Sequence, residues 1–290
     1  MLLTIWSGLV LGGIYCIVAV GLTIGMLPSG TLNLAQGAIV VTGTYVTYSC
    51  LAVHDVAIVA CIAINLVVGA TLGAACELLC VRPLMRRQLR GQENELVTVV
   101  GFSLAVIGAV GVVWGYEVKA VPFVGPATQI RLLGVTILPV HLFVLATAIA
   151  SAVAMHVWVR RTRWGRVCLA VAEDRDAASL RGVNVNLISL AGFAAAGAFG
   201  TVTAIIIGPI TYALPAAANV LVLGGFVALV LGGRGNFLGT LYGGLVVGVA
   251  SSLATRYLGG SYASFAVLAV LLATLWVRPS NVLAPGTRHV

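Results

Sequence analysis

Ile14-Tyr15-Cys16-Ile17-Val18-Ala19-Val20-Gly21-Leu22-Thr23-Ile24-Gly25-Met26-Leu27 closes an uncharged apolar run that begins at Leu2, and Pro28-Ser29-Gly30-Thr31-Leu32-Asn33-Leu34-Ala35-Gln36-Gly37 interrupts it. About 20 apolar residues cross a bilayer core about 30 Å thick, so 2–27 reads as a full membrane span. The interruption carries Pro28, Gly30 and Gly37 together with two amides, Asn33 and Gln36. A broken helix inside a bilayer frees backbone groups that protein or a water-lined cavity must satisfy. Such breaks are the sequence feature that points most directly to a transport pathway. A plain loop between two spans fits the same residues. The segment falls on the expected cytoplasmic side yet holds no arginine, which favours a buried segment. Gly30, Asn33, Gln36 and Gly37 are the candidate pathway residues.

The rest of the chain repeats the first run. Further apolar stretches fall near 33–53, 56–81, 96–118, 138–159, 187–208, 216–232, 238–255 and 262–277, making eight to nine segments. Of 290 residues, 60% are hydrophobic and 8% are charged, where soluble domains carry about 25% charge. That balance excludes a soluble enzyme and a disordered chain. The fold class is an all-α polytopic membrane protein with one segment broken or re-entrant, in one transmembrane domain over 1–290. Met1 to Val20 lacks the basic start of a cleaved signal peptide and reads as a true first span.

The few charges orient the bundle. The net charge is +8, and fifteen of the 16 cations are arginine. They sit in short blocks between apolar runs, which fits membrane-span ends better than a nucleic-acid face. Arg82, Arg86, Arg87 and Arg90 form one block; Arg160, Arg161, Arg163, Arg166, Arg175 and Arg181 form another. With Arg234, Arg278 and Arg288 they alternate onto one side, leaving Lys119, Arg131 and Arg256 opposite. Cytoplasmic loops carry the excess of arginine, so the C-terminus is placed in the cytoplasm and, with nine spans, the N-terminus outside. Glycine pairs four apart, such as Gly8/Gly12, Gly69/Gly73 and Gly244/Gly248, mark helix faces that permit close approach. Spacing alone leaves open whether they pack inside the bundle or at a dimer face.

Enzymatic signatures are missing. A P-loop needs a lysine after its glycines to hold phosphates, and Lys119, the only lysine, lies between Val118 and Ala120. The histidines His54, His141, His156 and His289 form no zinc helix, and Cys76 and Cys80, one turn apart, have no second pair to complete a metal site. Gly101-Phe102-Ser103-Leu104-Ala105 and Gly259-Gly260-Ser261-Tyr262-Ala263 miss the nucleophile-elbow pattern and lie in or beside spans. The expectation is a non-enzyme without metal or cofactor.

The loop 160–186 is the other informative region. Alanines within 169–182 favour helix, Glu173, Asp174 and Asp176 sit toward its start, Arg181 near its end, and Gly182 can close it. A short charged helix carrying Ala177 and Leu180 can dock a cytoplasmic partner; a solvated connector is the plainer reading. Glu77 is the one acid well inside an apolar run, with snorkelling toward Arg82 favoured over a proton relay.

These residues together resemble the integral-membrane permease subunits of high-affinity branched-chain amino acid ABC importers. Gly12-Gly13-Ile14-Tyr15 and Gly21-Leu22-Thr23 resemble the family's first span. Asn33-Leu34-Ala35-Gln36-Gly37 is similar to its Asn-hydrophobic-Ala-His-Gly signature, with Thr44-Tyr45 where Ala-Tyr is usual. Arg82-Pro83-Leu84, Gly165-Arg166, Ala177-Ala178, Gly182-Val183-Asn184-Val185 and Phe193 follow in order, then Gly224-Gly225, Gly232-Gly233-Arg234-Gly235, Gly239, Gly243-Gly244 and Trp276-Val277-Arg278-Pro279. Gln36 departs from the common His, and Arg234 from a small or apolar residue.

The resemblance implies an ABC importer permease fold in a bacterial plasma (inner) membrane. It implies an extracytoplasmic substrate-binding protein, a second permease of the same family and two cytoplasmic ABC ATPase subunits. The segment holding Glu173, Asp174, Asp176, Ala177, Leu180, Arg181 and Gly182 would be its ATPase coupling helix. The cargo would be a branched-chain or similar small amino acid, with urea or a short amide as the alternative. A stand-alone secondary transporter or channel is the rival; it needs buried ionisable residues, for which Glu77 is nearly the sole candidate.

Overall fold

Uniformly apolar helices have no preferred wet face, and packing then follows shape more than hydrophobic pattern. The computed structural model describes residues 1–86, 92–126, 130–132, 135–233 and 235–277, and is almost wholly helical. Helix α1 (Leu2–Ser29) is central, with Ile14, Cys16, Ala19, Val20 and Leu22 wholly buried. It ends where Pro28 is followed by Gly30 at φ 71°, whose N–H bonds to the Met26 carbonyl at 2.8 Å. Glycine takes that left-handed conformation without steric cost.

Helix α2 (Gln36–Tyr48) continues through a π turn, Ser49–Val53, and α3 (Ile58–Cys76) through a second, Glu77–Val81, into the short α4 (Arg82–Arg86). Helix α5 (Gln92–Trp114) stops four residues short of the apolar run's end, because Gly115 turns left-handed at φ 82°. A two-stranded antiparallel hairpin, β1 (Ile130–Leu132) with β2 (Val135–Ile137), precedes α6 (Pro139–Arg161). Helices α7 (Arg163–Glu173) and α8 (Arg175–Leu180) form the loop, followed by α9 (Val185–Thr211), α10 (Ala217–Gly232), α11 (Phe237–Tyr257) and α12 (Ala263–Val277).

By length and composition α1, α3 with its continuation, α5, α6, α9 and α11 can each cross a membrane; α10 and α12 are shorter apolar helices. Close approach is achieved through glycine. A side chain on Gly12 would strike Gly244 and Leu245 of α11, one on Gly248 would strike Gly12, and one on Gly73 would strike Phe193 of α9. These stripes therefore pack inside the bundle. Gly8 meeting Val249 and Ser252 while Gly12 meets Gly244 makes α1 and α11 antiparallel. The same reasoning makes α3 and α9 antiparallel, and α2 and α9 parallel.

The two ends of the bundle then separate the charges. Arg256 bonds to Thr4 at one end, where Lys119 also pairs with Ala213 through backbone hydrogen bonds of 3.1 and 2.9 Å. Arg175 bonds to Ser29 at the other end. Arg87, Arg90, Arg234, Arg278 and Arg288 lie outside the described residues.

Candidate functional site

The interruption after α1 folds back into the bundle. The Asn33 side-chain oxygen accepts the Ala35 N–H at 3.2 Å and the Cys76 thiol at 3.6 Å, and its backbone carbonyl accepts the Gln36 N–H at 3.1 Å. This local turn starts α2 beside the middle of α9. Gln36 Nε2 donates to the Ala196 carbonyl at 2.9 Å, and side chains on Gly21 or Gly200 would collide with the same amide. Gly37 lets the Ala218 carbonyl of α10 approach the first turn of α2. Asn33 and Gln36 are fully buried, and Asn33 Nδ2 and Gln36 Oε1 have no hydrogen-bond partner. One spare donor and one spare acceptor three residues apart carry a desolvation cost that packing alone does not require.

Gly30 faces a cavity of about 640 Å³ between the end of α1, the first half of α5 and the length of α10. Its walls are mainly apolar, among them Leu96, Val100, Leu104, Val222 and Phe226. Four polar groups reach it: Thr31, Glu95, Ser103 and Asn219. Leu34 also lines the cavity, whereas Asn33, Gln36 and Gly37 do not and are buried within the bundle. Thr31 donates to the Glu95 carboxylate at 2.9 Å. Thr31 lies in the interruption that the sequence marks and Ser103 in a serine pentapeptide that reads as packing, but nothing in the sequence relates either of them to Glu95 or Asn219, which carry no motif.

The loop has a different chemistry. The helix expected across 169–182 is divided at Asp174, which takes an extended conformation (φ −152°, ψ 108°). Its carboxylate caps α8 by accepting the Asp176 and Ala177 N–H groups at 2.9 and 3.0 Å, which favours a fresh helix start over continuation. Gly182 at φ 83° closes α8, with Val183 N–H bonding to the Ala178 carbonyl at 3.2 Å. Glu173, Asp174, Asp176, Ala177, Arg181 and Gly182 are all exposed, and Leu180 is 89% exposed. Ala178 is buried and seats α8 on the bundle. On the packed side of α7, burial pushes the Cys168 thiol above its ordinary value, so it stays protonated and acts as apolar filling.

Arg175 reads in the sequence only as one of the loop cations, yet it turns inward. Its guanidinium donates to the Ser29 carbonyl at 2.7 Å. The Ser29 hydroxyl in turn contacts the Thr31 carbonyl and N–H at 3.1 and 3.0 Å. Nearby Glu77 is 1% exposed and forms an ion pair with Arg82 at 3.5 Å, directed at the basic end of α3. Among the described residues no group of three or more His, Cys, Asp or Glu is placed to hold a metal ion.

The family described as branched-chain amino acid transport system / permease component matches residues 4–275. The chain is 26% identical over 293 residues to the high-affinity branched-chain amino acid transport system permease protein BraD of Pseudomonas aeruginosa, covering 96% of this chain and 94% of that protein. It is 25% identical over 294 residues to the corresponding protein LivH of Salmonella typhimurium, with the same coverage. The solved structure of PsaBC from Streptococcus pneumoniae in complex with Fab superposes with a TM-score of 0.50 at 11% identity, over 95% of this chain and 92% of that one, a likeness of fold alone.

Proposed function

We propose, from the premise that this chain belongs to the branched-chain amino acid transport permease family, that its cargo is a branched-chain or similarly small amino acid. The chain is the membrane-spanning permease subunit of an ABC importer and has that permease fold; such subunits are not enzymes. In the proposed assembly two of these permeases, alike or paired with a relative, meet at the bilayer. An extracytoplasmic protein delivers cargo, and two separate ATPases on the cytoplasmic side drive alternation. The membrane is a bacterial plasma membrane with the C-terminus in the cytoplasm, a reading supported by the clustering of arginines at the Ser29 end.

The observation that carries the cargo reading is the chemistry of the cavity. Leu96, Val100, Leu104, Val222 and Phe226 suit an aliphatic side chain, the Glu95 carboxylate suits an ammonium group, and Asn219 with Ser103 can donate to a carboxylate. Urea or a short amide would leave the apolar walls without use. The stand-alone transporter reading is not favoured either: Glu77, its coupling candidate, is held by Arg82.

The pathway role of Gly30, Asn33, Gln36 and Gly37 belongs to the same proposal. It is supported by the position of Gly30 on the cavity and by the spare hydrogen-bonding capacity of the buried Asn33 and Gln36 side chains. The coupling role of α8 is supported by its exposed Leu180 among acids. The test is uptake by the complete importer in proteoliposomes. ATP-dependent accumulation of leucine or valine, with Glu95→Gln raising the concentration needed for half-maximal uptake, supports the proposal. Accumulation of urea in place of amino acids, or uptake without any ATPase, overturns it.

A further inference from the structure

We propose that the corner between α6 and α7 is a binding site for anionic phospholipid headgroups, built by Arg160, Arg161, Arg163 and Trp164. Along α6 the exposed side chains Ile149, Val153 and Val157 recur every four residues, a stripe that suits acyl chains. Trp158, 39% exposed, is next in sequence to the last residue of the stripe, and Trp164 follows at 66% on the next helix. Between and beside the two indoles stand Arg160, Arg161 and Arg163, all exposed, with Arg166 one turn further along α7. Among the described residues their guanidiniums make no hydrogen bond or ion pair within the chain. The acids of the loop, Glu173, Asp174 and Asp176, lie about 15 Å away at the far end of the 11-residue α7.

Two contacts hold the backbone of the corner. The Thr162 hydroxyl caps α7 by accepting the Gly165 N–H at 3.0 Å, and Gly165 packs so closely on Val159 that any side chain there would collide with backbone. The arginines thus extend from a backbone held in place, their side chains free to meet a ligand. Guanidinium forks pair with two phosphate oxygens at once, and indoles rest at the level of lipid headgroups. Continuity with the apolar stripe selects a lipid over a free phosphate, which has no acyl chain to lay along Ile149, Val153 and Val157. The ATPase-docking features, exposed Leu180 and its acids, belong to α8 and carry the opposite charge. Held at this corner, α7 would set the height of α8 above the membrane.

The test is native mass spectrometry of the purified full chain, dosed with phosphatidylglycerol or with phosphatidylcholine of the same acyl chains. Wild type should retain phosphatidylglycerol preferentially. The triple variant Arg160→Gln, Arg161→Gln, Arg163→Gln should lose preference by about fivefold for each guanidinium neutralised. The matching triple Arg→Lys variant, which keeps charge and loses the fork, should fall between them, with helix content by circular dichroism unchanged in all three. Equal retention of both lipids by wild type overturns the proposal. So does an unchanged preference in the Gln variant, including the case where that variant only releases the ATPase from the detergent-solubilised complex.

Discussion

The Arg175 guanidinium bonds to the Ser29 carbonyl at 2.7 Å, joining α8 to the end of α1 across 146 residues of sequence. From Ser29 the contacts continue to Thr31, and from Thr31 to Glu95 in the cavity wall. A movement imposed on α8 therefore has a short polar route to the cavity. A hydrogen bond to a charged group contributes about 1.5–3 kcal/mol, enough to bias two arrangements of that route. We expect Arg175→Gln to leave the chain inserted while fewer cargo molecules enter per ATP hydrolysed, and Arg175→Lys to fall between. An unchanged ratio of uptake to hydrolysis in proteoliposomes would show that force passes elsewhere.

On α8 itself, Ala177 and Leu180 are exposed and can change without disturbing the bundle. Ala177→Arg and Leu180→Asp should insert at wild-type levels but release the ATPase in a pull-down, with loss of uptake. Normal pull-down together with normal uptake would refute the docking role.

Glycine contacts make a prediction about stability. Gly197→Ala places a methyl group against the Gly69 carbonyl and should separate α9 from α3, at a cost of about 1–3 kcal/mol. Gly101, on the exposed face of α5, has nothing within 4 Å of the position its Cβ would take, so Gly101→Ala should be neutral or stabilise by up to about 1 kcal/mol. Thermal unfolding in detergent compares them; equal midpoints would remove the packing argument.

Two opposing effects meet at Gln36. Gln36→Leu loses the 2.9 Å bond to Ala196 but also removes the unpartnered Oε1, so stability should change by no more than about 1 kcal/mol. Uptake kinetics should change in this variant and in Asn33→Ala, with expression retained. Wild-type kinetics in both would argue against a pathway role.

Much of the architecture is legible in order along the chain. Spans, the interruption at Pro28–Gly37 and the arginine blocks are local features, because transfer into a bilayer sums over neighbouring residues. The end of α5 at Gly115 and the break at Asp174 escape such a reading, since each depends on one residue's backbone conformation. Glu95, Asn219 and Arg175 are not recognisable as neighbours of the break, as nothing beside them in sequence marks their roles.

The sequence by itself therefore determined that this is a polytopic helical permease, where along the chain its charges gather and where a helix is interrupted. Only the tertiary structure decided that Gln36 is buried off the cavity, that Gly30 opens on an amphiphilic cavity, and that Arg175 reaches Ser29. The physical reason is range: partition into lipid is settled within about 20 residues, whereas cavities and long-range hydrogen bonds arise from the packing of helices far apart in the chain.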